Sequence, residues 1–191
     1  MPQSADSLVR LSVETDLTSF DCEDADLNDF LLNDAQHYMT ELLAVTYLVK
    51  DGKSIAAFFS LANDKLTCDP ADPQGKPEWN RLARKIPNKK RRRSFPAVKL
   101  GRLGVDKRFK RIGLGRDILD YLKRWFIIGN KTGCRFITVD AYNKPEIVRF
   151  YEKNGFCFLT PTDKTEGTRL MYFDLKPLAD LMASDNVPAK T

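Results

Sequence analysis

The ten residues Lys107-Arg108-Phe109-Lys110-Arg111-Ile112-Gly113-Leu114-Gly115-Arg116 set two glycines in a run of cations, directly ahead of an amphipathic stretch. At the start of a helix the backbone N–H groups lack intrahelical acceptors and carry partial positive charge, so they attract phosphate. Gly113 and Gly115 would let a pyrophosphate approach the backbone where a Cβ would block it. The flanking Lys and Arg side chains add longer-range attraction and reach peripheral phosphates. The same glycines also suit a tight strand-to-helix turn that binds nothing. Two nucleotide motifs fail: no Gly-Lys-Ser/Thr follows, as a Walker A loop needs, and Ile118 stands where a dinucleotide fingerprint has its third glycine.

The distribution of charge points the same way. Residues 81–116 hold 15 basic residues and one acid, Asp106, whereas the first 30 residues hold eight acids against Arg10 alone. The whole chain carries only +5, so the basic segment sits in an otherwise acidic protein. Such asymmetry predicts an anionic ligand near 81–116 and a cationic one near the N-terminal segment. Residues 81–93 alone place eight Lys or Arg in 13 positions with no acid, a pattern that tracks a nucleic-acid backbone or forms a solvated loop.

Other chemistries find little support. Four cysteines (Cys22, Cys68, Cys134, Cys157) form no CxxC pair, and His37 is the single histidine, so neither a zinc site nor a disulfide framework is expected. No metal is predicted. The chain is 42% hydrophobic and 30% charged, the balance of a soluble globular protein rather than a disordered or membrane one. No apolar run reaches the roughly 18–20 residues of a bilayer span. The polar N-terminus MPQSADSLVR has no signal-peptide pattern, so a cytoplasmic location without a membrane partner is expected.

The elements that must position the loop follow from periodicity. Residues 8–13 alternate weakly as a first strand, and 24–39 read as an amphipathic helix capped by Asp21 or Asp24. Runs 42–50 and 54–61 flank Asp51-Gly52-Lys53, a hairpin signal. Residues 67–77 are a loop, 78–86 a short helix and 87–93 a basic loop. Strand 97–105 then leads through the glycine loop into helix 113–128 and strand 134–141. Helix 145–153 stops at Asn154-Gly155, and strands 156–159 and 168–175 close the order. A possible turn of helix and a polar tail follow. The βαβα centre with hairpins at both ends predicts an α/β domain with a mixed sheet, its parallel pair at the 97–105 to 134–141 crossover.

The segment KLGRLGVDKRFKRIGLGRDILDYL (99–122) resembles the central motif of the GNAT N-acetyltransferases, (Q/R)xxGx(G/A) between a strand and a helix. Lys110 takes the place of the usual Gln or Arg, a mild departure because the loop acts mainly through backbone N–H groups. A second block, Asn143-Lys-Pro-Glu-Ile-Val-Arg-Phe-Tyr-Glu-Lys-Asn-Gly-Phe156, is similar to the family's closing N…FYxxxGF motif. The resemblance spans roughly residues 8–175. It implies a GNAT-like acyl-CoA N-acyltransferase fold, α/β, with a mixed twisted sheet of six to seven strands and helices on both faces. Residues 1–175 would form one domain, with 67–96 as an inserted loop and short helix, and 176–191 as a C-terminal tail.

That resemblance implies acetyl-CoA as cosubstrate, its pantetheine pairing with strand backbone at Leu103 and Val105. Its pyrophosphate would lie on Lys110, Arg111, Ile112, Gly113, Leu114, Gly115 and Arg116. Asn143 matches the asparagine that bonds the pantetheine, although with Glu146 it also reads as a helix cap. Tyr151 is the expected catalytic acid, a phenol that hydrogen-bonds or protonates the departing thiolate. With Ile147 and Phe150 it also reads as core. No base declares itself: Asp106, Glu41 and Asp140 are undistinguished carboxylates, and His37 is read as a surface or packing residue.

Residues Phe20-Asp-Cys-Glu-Asp-Ala-Asp-Leu-Asn-Asp-Phe30-Leu, with Leu-Gly-Arg-Leu-Gly-Val-Asp106, resemble the GNAT subgroup of bacterial toxins. These acetylate the amine of aminoacyl-tRNA and are restrained by an antitoxin. The subgroup implies a tRNA substrate, an antitoxin partner and a homodimer. An ordinary protein or polyamine acetyltransferase, suited to the acidic first 30 residues, is the alternative. A non-catalytic RNA-binding protein on the same fold is the third.

Overall fold

The computed structural model describes residues 8–67, 69, 71–86, 94–129 and 132–185. Seven strands form one sheet: β1 (Leu8–Arg10), β2 (Val45–Asp51), β3 (Ser54–Thr67), β4 (Ser94–Val105), β5 (Phe136–Tyr142), β6 (Cys157–Phe158) and β7 (Thr168–Asp174). Their order is β1-β2-β3-β4-β5-β7-β6. β1–β2, β2–β3, β5–β7 and β6–β7 pair antiparallel. β4 and β5 are neighbours joined through helix α4 (Leu114–Ile128), numbered in chain order with the helices below, which is the connection that parallel neighbours need. The mixed α/β sheet expected from the sequence is present. The chain divides into two compact units, Met1–Asn63 with Lys99–Leu122, and Asp64–Val98 with Lys123–Thr191.

In the first unit, Asp51 pairs with Ser54 across the Gly52-Lys53 turn, and Gly52 takes φ 57°, as the hairpin signal requires. The N-terminal helix is not uniform. It runs as α1 (Ala25–Asp29), a π-helical turn (Phe30–Asp34) and α2 (Ala35–Thr40), with the Ala35 amide bonded to the Phe30 carbonyl five residues back. Of the two candidate caps, Asp24 fills the role, its carboxylate accepting from the Leu27 amide at 3.1 Å. The buried stripe Phe30, Leu31 and Ala35 packs with Leu48, Ile55 and Phe58 as the core of this unit.

In the second unit, β5 and β7 pair along all of Phe136–Tyr142. Phe95, Phe136 and Tyr172 pack with Leu66, Leu82 and Leu159. Helix α3 (Lys76–Arg84) adds Trp79, stacked on Phe95 with centroids 4.8 Å apart. The strands here are longer than expected. β3 continues to Thr67 because Leu66 is buried and the Asp64 carboxylate accepts from the Thr138 hydroxyl, so a polar stretch still finds partners. β4 begins at Ser94 because Phe95 is core. Helices α5 (Pro145–Lys153) and α6 (Leu175–Asp185) complete the unit, α6 covering most of the expected tail. The basic loop 87–93 lies outside the described residues. Among the described residues no helix is long and apolar enough to cross a membrane.

Candidate active site

β4 carries Leu103 and Val105, both half-buried, up to Asp106, which is 1% exposed. Asp106 caps the 3-10 turn Lys107–Phe109 and is saturated. Its oxygens accept from the Arg108 amide (2.9 Å), Arg108 Nε and Nη2 (2.8 and 3.0 Å) and the Asp21 amide (3.0 Å). Burial pushes its carboxyl up, but the Arg108 guanidinium and the two amides outweigh this and hold it below the ordinary carboxylate value. A carboxylate so committed is a joint between β4 and the segment at residue 21. It is not a general base.

Beyond the turn the backbone reverses sign twice, at Arg111 (φ 64°) and Gly113 (φ 91°). Alternation of left-handed and ordinary residues turns successive N–H groups toward one concavity, an anion nest. Gly113 occupies its left-handed position freely, while Arg111 there costs about 1–2 kcal/mol. The first helical bond of α4 runs from the Asp117 amide to the Gly113 carbonyl at 3.0 Å. The Leu114, Gly115 and Arg116 amides therefore precede the helical ladder, at the positive end of a fifteen-residue helix. A diphosphate is the ligand this geometry suits. Ile112 is 71% exposed at its rim.

The cations of the loop fall into two sets, which the sequence did not separate. Lys107 Nζ pairs with Asp21 at 2.9 Å, and Lys110 Nζ with Glu23 at 2.8 Å. Arg102 lies 3.7 Å from Asp26 and 5.1 Å from the Phe30 ring centroid. Arg111 and Arg116 are exposed, with Arg116 3.4 Å from its neighbour Asp117. The expected cationic ligand for the acidic N-terminal segment is thus corrected: carboxylates 21, 23 and 26 face the chain's own cations. The opposite charge of the two segments was the available signal. Arg81, though exposed, is likewise paired, bonded to Glu78 at 2.5 Å and to the Tyr172 hydroxyl at 3.1 Å, so it is not a free cation of the basic stretch. His37 is exposed, as expected.

The second unit holds Tyr151 and Asn143, one near each end of α5. Helix α5 ends in a Schellman pair, Phe156 N–H to Tyr151 O at 3.0 Å and Gly155 N–H to Glu152 O at 2.9 Å, with Gly155 at φ 81°. The Tyr151 ring packs edge-on against Phe150 and Phe156, with centroids 5.2 and 5.3 Å away. Tyr151 is 7% exposed, and burial raises its phenol well above the ordinary tyrosine value. Such a phenol stays protonated near neutral pH and has an O–H to donate. Asn143 does not cap α5; the cap residue is Lys144, without a side-chain bond. Asn143 Nδ2 instead donates to the Lys164 and Glu166 carbonyls at 2.8 and 2.9 Å, which leaves Oδ1 to accept.

A model of the acetyltransferase (GNAT) domain matches residues 82–157, the stretch that holds this loop and helix α5. The chain has the GNAT fold. Among solved structures it is similar to a tyrosine-to-phenylalanine mutant of KacT, with 21% identity, TM-score 0.68, and coverage of 92% of this chain and 99% of that one. It is also similar to such a mutant of the AtaT toxin bound to acetyl-CoA and the C-terminus of the antitoxin AtaR. There the identity is 17%, the TM-score 0.70, and coverage 92% and 97%. AtaT complexed with acetyl-methionyl-tRNAfMet matches at 19% identity and TM-score 0.69, covering 92% of this chain and 98% of that one.

Proposed function

We propose that this chain is an acetyl-CoA-dependent N-acetyltransferase of the toxin type, acting on the amine of an aminoacyl-tRNA. The observation that carries the reading is the anion nest at Arg111–Arg116 opening α4. Acetyl-CoA supplies an activated acetyl thioester. The Gly113–Arg116 backbone receives its diphosphate, the exposed Arg111 and Arg116 side chains neutralise it, and the backbone at Leu103 and Val105 pairs with the pantetheine. Asn143 Oδ1 accepts from a pantetheine amide.

In the transfer the amine nitrogen bonds to the acetyl carbon as the carbon–sulfur bond breaks. The sulfur leaves as a thiolate and takes a hydrogen bond, then the proton, from Tyr151, while the acetylated nitrogen gives up one proton to water, from which Tyr151 is reprotonated. Burial keeps the phenol protonated, so its O–H is available to donate to the charge that develops on sulfur. The amine of an aminoacyl ester is less basic than an ordinary amine, which lessens the demand for a protein base. Asp106 is excluded from that role by its four bonds.

An antitoxin that restrains the enzyme, and a cytoplasmic location with the tRNA, follow from this reading. AtaT, of the same fold, is known bound to AtaR and to acetyl-methionyl-tRNAfMet. The polyamine alternative is weakened, because carboxylates 21, 23 and 26 of the N-terminal segment already face the chain's own cations. The test is incubation with labelled acetyl-CoA and separate pools of aminoacyl-tRNA, cell protein and small amines. Label on the aminoacyl-tRNA is expected. Label confined to protein or small amines would overturn the toxin-type acceptor and leave the acetyltransferase, whereas CoA binding without transfer would overturn catalysis.

A further inference from the structure

The ion pairs that fasten the acidic segment to the loop are not equivalent. Asp106 receives four bonds and is buried. Asp21 accepts from the Glu23 amide, the Asn28 side-chain amide and Lys107, at 2.9 Å each. The Glu23 and Lys110 side chains pair at 2.8 Å, 60% and 38% exposed, and Glu23 also acts electrostatically on Lys107. Glu23 is nevertheless placed by construction. Its backbone is held at φ 60°, and its amide is bonded to Asp21 Oδ1. A left-handed residue without a glycine aims one carboxylate at the one cation that directly precedes the nest.

Resting on the acetyl-CoA reading of that nest, we propose that Glu23 is an intramolecular competitor for the cofactor's phosphates at Lys110. An ammonium one residue before Arg111 lies within reach of an anion on the nest. While paired, its charge is spent on a carboxylate, and that carboxylate adds negative potential beside the phosphate site. CoA, with a diphosphate and a 3′-phosphate, must share Lys110 or displace Glu23. Glu23 is therefore a positioning residue that sets cofactor affinity through Lys110, and it makes the loop's affinity lower than its cation count implies.

Calorimetric titration of the full chain with CoA at low salt tests this. Glu23→Gln should bind CoA more tightly by roughly two- to five-fold, the scale of one exposed ion pair. The gain should shrink in high salt, and it should vanish in a Lys110→Met background. Glu23→Asn, whose residue type suits φ 60°, should show the same gain and serves if the Gln variant folds poorly. Unchanged or weaker binding by both variants would show a merely structural pair and overturn the proposal. An equal gain from Asp51→Asn, in the β2–β3 hairpin, would also overturn it by assigning the effect to net charge. Failure of the folded wild-type chain to bind CoA would instead overturn the reading of the nest, and this proposal with it.

Discussion

The loop ahead of α4 and the end of α5 solve the same problem, holding a few atoms still, with opposite materials. At the loop the fixing groups are exposed charges and backbone amides, and one non-glycine residue sits at positive φ. At α5 they are a glycine reversal and three aromatic rings, and the phenol lies in an apolar setting. The first material weakens with salt, while the second is indifferent to it. Under the proposed function the first material would suit a polyanion that comes and goes, and the second a single proton delivered in one place.

The sharpest way to break this contrast is Tyr151→Phe. Transfer should fall by about 10²-fold or more, with CoA binding by calorimetry retained. Near-normal turnover would make Tyr151 core alone. Next is Gly155→Ala, which forces a side chain to φ 81° and sets its Cβ 3.0 Å from the Phe173 ring. It should lower unfolding free energy by about 2–3 kcal/mol, and denaturant titration should give the same loss at low and high salt.

At the loop, Asp106→Asn should cost about 1–2 kcal/mol by leaving donors that meet its buried carboxylate without an acceptor. Because the folded Asp106 carboxyl lies below its ordinary 3.8, its stabilisation is complete above that value and fades as pH falls through the folded value. The wild-type advantage in thermal unfolding should therefore narrow only in that acid range. The smallest change is expected for Lys107→Met, a loss of stability detectable at low salt and absent at high salt. A loss that persisted in salt would blur the distinction between the two regions.

Much of this was readable in advance, for physical reasons that can be named. Helix α5 was placed to the residue because Pro145 opens it and Asn154-Gly155 closes it, both local signals. Gly113 and Gly115 located the loop because a tight strand-to-helix turn leaves a compositional trace. The pairs Lys107–Asp21 and Lys110–Glu23 left only the opposite charge of their two segments, since their partners lie 86 and 87 residues apart. Asn143 misled as a cap because Asn three residues before Glu is a cap signal, yet the amide is used on the 164–166 carbonyls. Residues 62–67 lie beyond the strand expected over 54–61, and in the sheet they are accompanied by the contact of Asp64 and the burial of Leu66.

The π-helical turn at Phe30–Asp34 has a consequence for how this chain can change length. A turn of this kind holds one residue more than an ordinary one, so losing a residue there restores the common helical pitch. Elsewhere in a helix a deletion swings everything beyond it by about 100°. Here Ala35 and Met39 would keep facing Leu31 and the core. The solvent-side positions Leu32 and Asn33 are thus the point at which descendants of this sequence can shorten by one residue without rebuilding the first unit.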